Sequence, residues 1–166
     1  MPTTPELKVA LKVEGLISRM AEMRRSPKYL ARLLRLAGAP VHPSGWAIIT
    51  VLTREGEQRV SNLAGLLDVD QSTVSRQLKP LYGAGLVSRT VDPADRRSTI
   101  VASTEAGKAV YDSVRSRWLN DLTWFMREWS AEDRSLLGDL TERFSAEIDQ
   151  GRAELQRLEE LRSGAA

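Results

Sequence analysis

With 166 residues, 42% of them hydrophobic and 28% charged, the chain has the size and balance of one globular domain rather than of a disordered segment. It has no cysteine and a single histidine, His42, which excludes disulfides, thiolate or multi-histidine metal sites and cysteine-based redox sensing. A net charge of +2 is too small for a protein that coats nucleic acid by charge alone, so binding of that kind must come from local placement of cations.

From Leu7 to Arg24, Val9, Val13, Leu16, Ile17, Met20 and Met23 recur at helical spacing. Ser26-Pro27 reads as an N-cap followed by proline at the first helical position, opening a second helix with Leu30, Leu33, Leu34 and Leu36. After a loop from Gly38 to Pro43, a helix over Ser44 to Arg54 turns Trp46, Ile48, Ile49 and Leu52 inward and stops at Glu55-Gly56. Gln58 to Val60 can pair as a very short strand. A short helix then starts with Ser61 as its cap and buries Leu63, Leu66 and Leu67.

Asp68-Val69-Asp70 closes a turn, and Asp70 caps a helix from Gln71 toward Tyr82, ended by Gly83 and Gly85. Val87 to Val91 and Ser98 to Ala102 flank the charged segment Asp92 to Arg97 and predict a β-hairpin. Thr104 caps a long helix bearing Val110, Val114, Leu119, Leu122, Phe125, Met126 and Trp129. Ser130 caps the last, with Asp133 as a short capping-box acid, a stripe of Leu136, Leu137, Leu140, Phe144 and Ile148, and Leu155, Leu158 and Leu161 beyond Gly151. No apolar run approaches the roughly 18 residues of a membrane span, and the N-terminus lacks the basic-then-apolar layout of a secretion signal. A cytoplasmic protein free of membrane, metal and cofactor is expected.

The informative window is Val60 to Arg97. In the helix capped by Asp70, Val74, Leu78 and Leu81 share one side, while Ser72, Ser75, Arg76 and Lys79 share another. No acidic residue interrupts Gln71 to Val91, so a polyanion would meet no local repulsion. Alone, that polar side is an ordinary solvated helix face and the hairpin an ordinary charged turn. Together, after a short helix and a tight turn, they predict a winged helix-turn-helix with one helix in the major groove and a hairpin arginine in the minor groove. Pro80 lies inside the groove helix, where a kink is expected and the role of Lys79 as a phosphate contact is less secure.

Ser61-Asn62-Leu63-Ala64, Ser72-Thr73-Val74-Ser75-Arg76, Gly85-Leu86-Val87-Ser88-Arg89, Asp95-Arg96-Arg97 and Thr104-Glu105-Ala106-Gly107, in that order, resemble the MarR family of winged helix-turn-helix transcription regulators. The resemblance covers roughly Leu30 to Ile148. It implies a mainly α fold with a small β-hairpin wing: a single MarR-type unit over 1–166, a DNA-binding lobe over 44–103, and a helical dimerisation region over 5–37 plus 104–162. It further implies DNA contacts at Gln71, Ser72, Thr73, Ser75, Arg76, Lys79, Arg96 and Arg97, with Asp95 orienting the wing arginine. The partners implied are double-stranded DNA with a pseudo-palindromic operator, a second copy of the chain, and a small aromatic or anionic effector. Arg35, His42 and Trp46 are the candidate effector residues.

The expected function is that of a repressor released by its effector; the alternative is a constitutive or architectural DNA-binding protein of the same fold. Trp118, Leu122, Phe125, Met126 and Trp129 read as core, shared with the partner subunit, rather than as a ligand cage. An enzyme would need His42 to act as base toward Ser44, and two residues on one segment without a third orienting group do not make that arrangement.

Overall fold

The computed structural model describes residues 4–95 and 98–163. Helix α1 (Pro5–Arg25) is capped by Thr4 and carries no fully buried residue. Ser26 ends it and caps α2 (Pro27–Leu36), its hydroxyl accepting from the Tyr29 N–H, as expected of a Ser-Pro start. Helix α3 (Pro43–Arg54) follows, with Gly45, Ile48, Ile49 and Leu52 buried. Trp46 is only half-buried, on the flank of that face.

Strand β1 (Gln58–Arg59) runs directly into α4 (Val60–Leu67). The N-cap position therefore falls on Arg59, the last strand residue, and no side chain caps the helix. This corrects the expected cap at Ser61, which lies within the first turn. Leu66 also departs from expectation, at 57% exposed. The buried arc of α4 runs through Leu63, Leu67 and Ala64, and Leu66 falls roughly 110° from its centre at the helical 100° per residue.

Asp68 adopts a left-handed conformation with φ 52°, and the chain reverses into α5 (Gln71–Gly83). Helical structure continues through Pro80 to Gly83, where Ala84 and then Gly85, at φ 68°, take the chain out of the helix. Strands β2 (Val87–Val91) and β3 (Thr99–Ser103) pair antiparallel, Val87 opposite Ser103 and Val91 opposite Thr99. β1 adds to the other edge of β3, Gln58 opposite Val101, giving the order β1-β3-β2.

One apolar core joins these pieces: Ile48, Ile49 and Leu52 from α3, Leu63 and Ala64 from α4, Val74, Leu78 and Leu81 from α5, and Leu86, Val87 and Val101 from the sheet. A second, smaller cluster of Leu33, Leu34 and Val114 ties α2 to α6 (Glu105–Phe125). Where the sheet passes into α6, the Thr104 N–H donates to the Leu86 carbonyl at 3.1 Å. The Thr104 hydroxyl donates to the Gly85 carbonyl at 2.7 Å and accepts from the Gly107 N–H at 3.1 Å. Gly107 is buried so tightly that a Cβ there would collide with the Leu86 carbonyl oxygen.

Helix α6 stops at Phe125, earlier than the reading that carried it to Trp129; Met126 to Trp129 form tight turns instead. Ser130 then caps α7 (Ala131–Ser163), accepting from the Asp133 N–H at 3.0 Å and donating its hydroxyl to the Asp133 carboxylate at 2.9 Å. α7 continues past Gly151 to Ser163. The chain divides into two compact units with the break inside α6, between Asn120 and Asp121. The first contains α1 to β3 and most of α6; the second is built on α7.

Candidate nucleic-acid interface

Helix α5 has two unlike sides. Val74, Leu78 and Leu81 are buried, and their apolar area anchors the helix on the core. Gln71, Ser72, Ser75, Arg76 and Lys79 are exposed, as is Pro80. Thr73 is half-buried, and its hydroxyl takes part in the helix cap. There the Asp70 carboxylate accepts the Thr73 N–H at 2.7 Å, the Thr73 hydroxyl at 2.8 Å and the Ser72 hydroxyl at 2.5 Å. Arg76 Nη2 donates in turn to Thr73 Oγ1 at 2.9 Å, which holds the guanidinium against the first turn of α5. The hydrogen bonds from Ser72 and then Thr73 keep the Asp70 carboxyl well below the usual carboxylate range.

The hairpin is held to the lobe by a charge pair that the sequence did not announce. Asp92, only 4% exposed at its side chain, accepts from Arg59 Nε at 2.5 Å and from the Ala94 N–H at 2.8 Å. It therefore fastens the base of the hairpin to β1 and the start of α4. Asp95 accepts from the Ser98 hydroxyl at 2.6 Å, and the Ser98 N–H donates to the Asp95 carbonyl at 2.8 Å, closing the turn. Arg96 and Arg97 lie outside the described residues. On β2, exposed Arg89 sits over the Tyr82 ring at 5.5 Å, a further cation beside the end of α5.

A cleft of about 460 Å³ opens between α1, α2, α3 and α6. Trp46 and Tyr111 stack on its wall with ring centroids 5.7 Å apart, and Arg24, Arg54 and Arg115 line it. Arg24 also lies over the Trp118 ring, whose edge meets Tyr29 at 5.8 Å. Of the three candidate effector residues only Trp46 lines this cleft. Arg35 is exposed at the end of α2, and His42 is the cap of α3. The cleft arginines were missed, although a pattern carries them: Trp46, Thr50 and Arg54 on α3, and Tyr111, Arg115 and Trp118 on α6, each follow a helical stripe that puts a cation beside an aromatic ring.

His42 and Ser44 meet more closely than their spacing suggested: Nδ1 lies 2.8 Å from the Ser44 hydroxyl. The same ring nitrogen accepts the Ser44 N–H at 3.3 Å, so the pairing is that of a helix cap. Among the described residues no group of His, Asp or Glu side chains is arranged to hold a metal ion, and no helix is long and apolar enough to cross a membrane.

A short helix, a left-handed turn, a second helix with an exposed polar side and a hairpin on the same core define a winged helix-turn-helix lobe. Residues 42–99, which take in all of that lobe but most of β3, match the model of the MarR family. Over this segment the chain is similar to the MarR family. It is 29% identical over 102 residues to the uncharacterized HTH-type transcriptional regulator YxaD of Bacillus subtilis, covering 61% of this chain and 71% of that one. It is 31% identical over 91 residues to the HTH-type transcriptional repressor CsqR of Escherichia coli, a match that takes in 49% of this chain but only 34% of CsqR. The fold is that of the transcriptional regulator Tm0710 of Thermotoga maritima, with TM-score 0.72, 24% identity, and coverage of 86% of this chain and 98% of Tm0710.

Proposed function

We propose that the protein is a homodimer that binds a pseudo-palindromic DNA operator and represses transcription until a small aromatic anion releases it. The observation that carries the reading is the division of α5: three apolar residues buried in the core and, opposite them, Ser72, Ser75, Arg76 and Lys79 exposed on a stretch free of acids. A helix so mounted enters the major groove, Arg76 reading or clamping, Gln71, Ser72, Thr73 and Ser75 near base edges and Lys79 on a phosphate. Arg97, or Arg96, enters the minor groove from the hairpin, with Asp95 orienting it. The lobe is residues 44–103, and residues 5–37 with 104–162 pair the two subunits.

Pairing is supported by the apolar surface on these helices. Leu7, Val9, Leu11, Leu16 and Ile17 of α1 and Leu136, Leu137, Leu140, Phe144 and Ile148 of α7 are all exposed in the single chain. Stripes of that size on a monomer mark an interface. In the dimer the two α5 helices would address successive major grooves about 34 to 36 Å apart. The cleft suits an effector that is flat and negatively charged, since rings of Trp46 and Tyr111 face three guanidiniums. Its occupation would act by changing how the lobes are held, and so their fit to the duplex. Repression is the sense in which CsqR is named, and the protein acts by binding alone, without catalysis.

The test uses a duplex carrying the promoter of the protein's own gene. Arg76→Ala and Arg97→Ala are each expected to weaken binding by about tenfold or more; unchanged affinity in both refutes the assignment. Aromatic carboxylates should dissociate the complex, less effectively in Arg54→Ala and Arg115→Ala. Operator affinity indifferent to every such anion would return the constitutive DNA-binding alternative.

A further inference from the structure

We propose that Asp70 fixes the polarity of the reading surface: it takes the hydroxyl protons of Ser72 and Thr73, so that Ser72 meets DNA purely as an acceptor and selects adenine or cytosine over guanine or thymine at one symmetric operator position. The inference rests on the reading of α5 as the major-groove helix. An ionised carboxylate has no proton to give, so the protons in both contacts to Asp70 are those of the hydroxyls, at 2.5 Å from Ser72 and 2.8 Å from Thr73. The same hydrogen bonds hold the Asp70 carboxyl well below the usual carboxylate range, which leaves it ionised at neutral pH.

The two hydroxyls then differ in what remains to them. Thr73, half-buried, accepts from Arg76 Nη2 and acts inside the protein as the link that anchors the guanidinium. Ser72, exposed, keeps its lone pairs for an outside donor. Phosphate oxygens, guanine N7 and O6 and thymine O4 are acceptors only, whereas the major-groove donors are adenine N6 and cytosine N4. Ser72 therefore cannot serve as a phosphate clamp; it recognises an amino group.

Capping by itself does not call for this charge. Asparagine and serine cap a helix as well as aspartate does, and a carboxylate beside a polyanion is a cost. Control of both hydroxyl protons is what the carboxylate adds, since an amide capping through its carbonyl would donate to the Thr73 hydroxyl instead of accepting from it. Asp70 is thus a positioning residue and Ser72 the specificity-determining one.

The experiment selects sequences from a randomised duplex pool with the full chain and then compares wild type, Ser72→Ala, Asp70→Ala and Arg76→Ala on operator variants, with thermal unfolding as the check on folding. The wild type is expected to prefer A or C at one symmetric position by about fivefold, the worth of one hydrogen bond. Ser72→Ala should abolish the preference there alone, and Asp70→Ala, which leaves the Ser72 hydroxyl without the oxygen that takes its proton, should admit G or T there. The proposal is overturned if Ser72→Ala changes no position, if the position it relaxes carries G or T in the wild type, or if Asp70→Ala preserves the preference. Should Arg76→Ala lose affinity in those cases, the polarity alone fails; should no variant affect binding, the reading of α5 fails with it.

Discussion

Gly107 shows how much a single position can demand. Its N–H bonds the Thr104 hydroxyl, and its missing side chain lets the first turn of α6 press on the Leu86 carbonyl. Gly107→Ala must push α6 off the sheet or bend β2, and overpacking of this kind costs about 1 to 3 kcal/mol. A fall of several degrees in the thermal midpoint is expected, since about 1 kcal/mol shifts it by roughly 2 to 4 °C at this size. An unchanged midpoint would mean the contact yields without strain. Asp92 offers a second test. The Ala94 N–H chiefly, and Arg59 beside it, hold its carboxyl below the usual 3.8 against the opposing effect of burial. A lowered folded value favours the native state above the unfolded pKa and loses that advantage as pH falls through the folded one. Urea denaturation should therefore find Asp92→Asn less stable than wild type at neutral pH, with the gap narrowing once pH drops below 3.8.

At the scale of elements, caps decide where helices begin and neighbours decide which faces are buried. Ser26, Asp70, Thr104 and Ser130 act within three residues of their partners, and each was read from local spacing. Leu66 and Ser61 were misread because the orientation of α4 is set by what packs against it and by the strand that runs into it. The stripes on α1 and α7 have the opposite character: their periodicity is legible, yet the named residues stand exposed in the single chain. Leu140→Glu with Phe144→Glu is expected to weaken self-association by more than about tenfold, because charges in a buried apolar interface are costly. Sedimentation should show monomer at concentrations where wild type is dimeric, and operator affinity should fall with it. A double variant that stays dimeric would place the interface elsewhere.

For the whole molecule, a net charge of +2 means that the proposed DNA affinity must come from local placement of cations. Affinity measured across a salt series should fall steeply, about 10³ to 10⁵ between low and moderate salt for 6 to 10 phosphates neutralised. A flat series would point to a protein partner instead. The proposed effector release asks for a link between the cleft and the lobe, and α3 reaches both. It buries Ile48, Ile49 and Leu52 in the lobe core while Trp46, Thr50 and Arg54 line the cleft.

The amino-acid sequence by itself determined what depends on near neighbours: the order of helices and hairpin, the cap at Asp70, the buried side of α5 and the exposed side opposite it. Such features follow from periodicity and from hydrogen bonds that close within a turn of helix. Tertiary structure alone decided the pairing of Arg59 with Asp92, 33 residues apart, and the gathering of Arg24, Arg54 and Arg115 from three helices around one cleft. Contacts of that kind depend on how helices and sheet pack against one another, and packing is settled by the shape of the whole core rather than by any local run of residues.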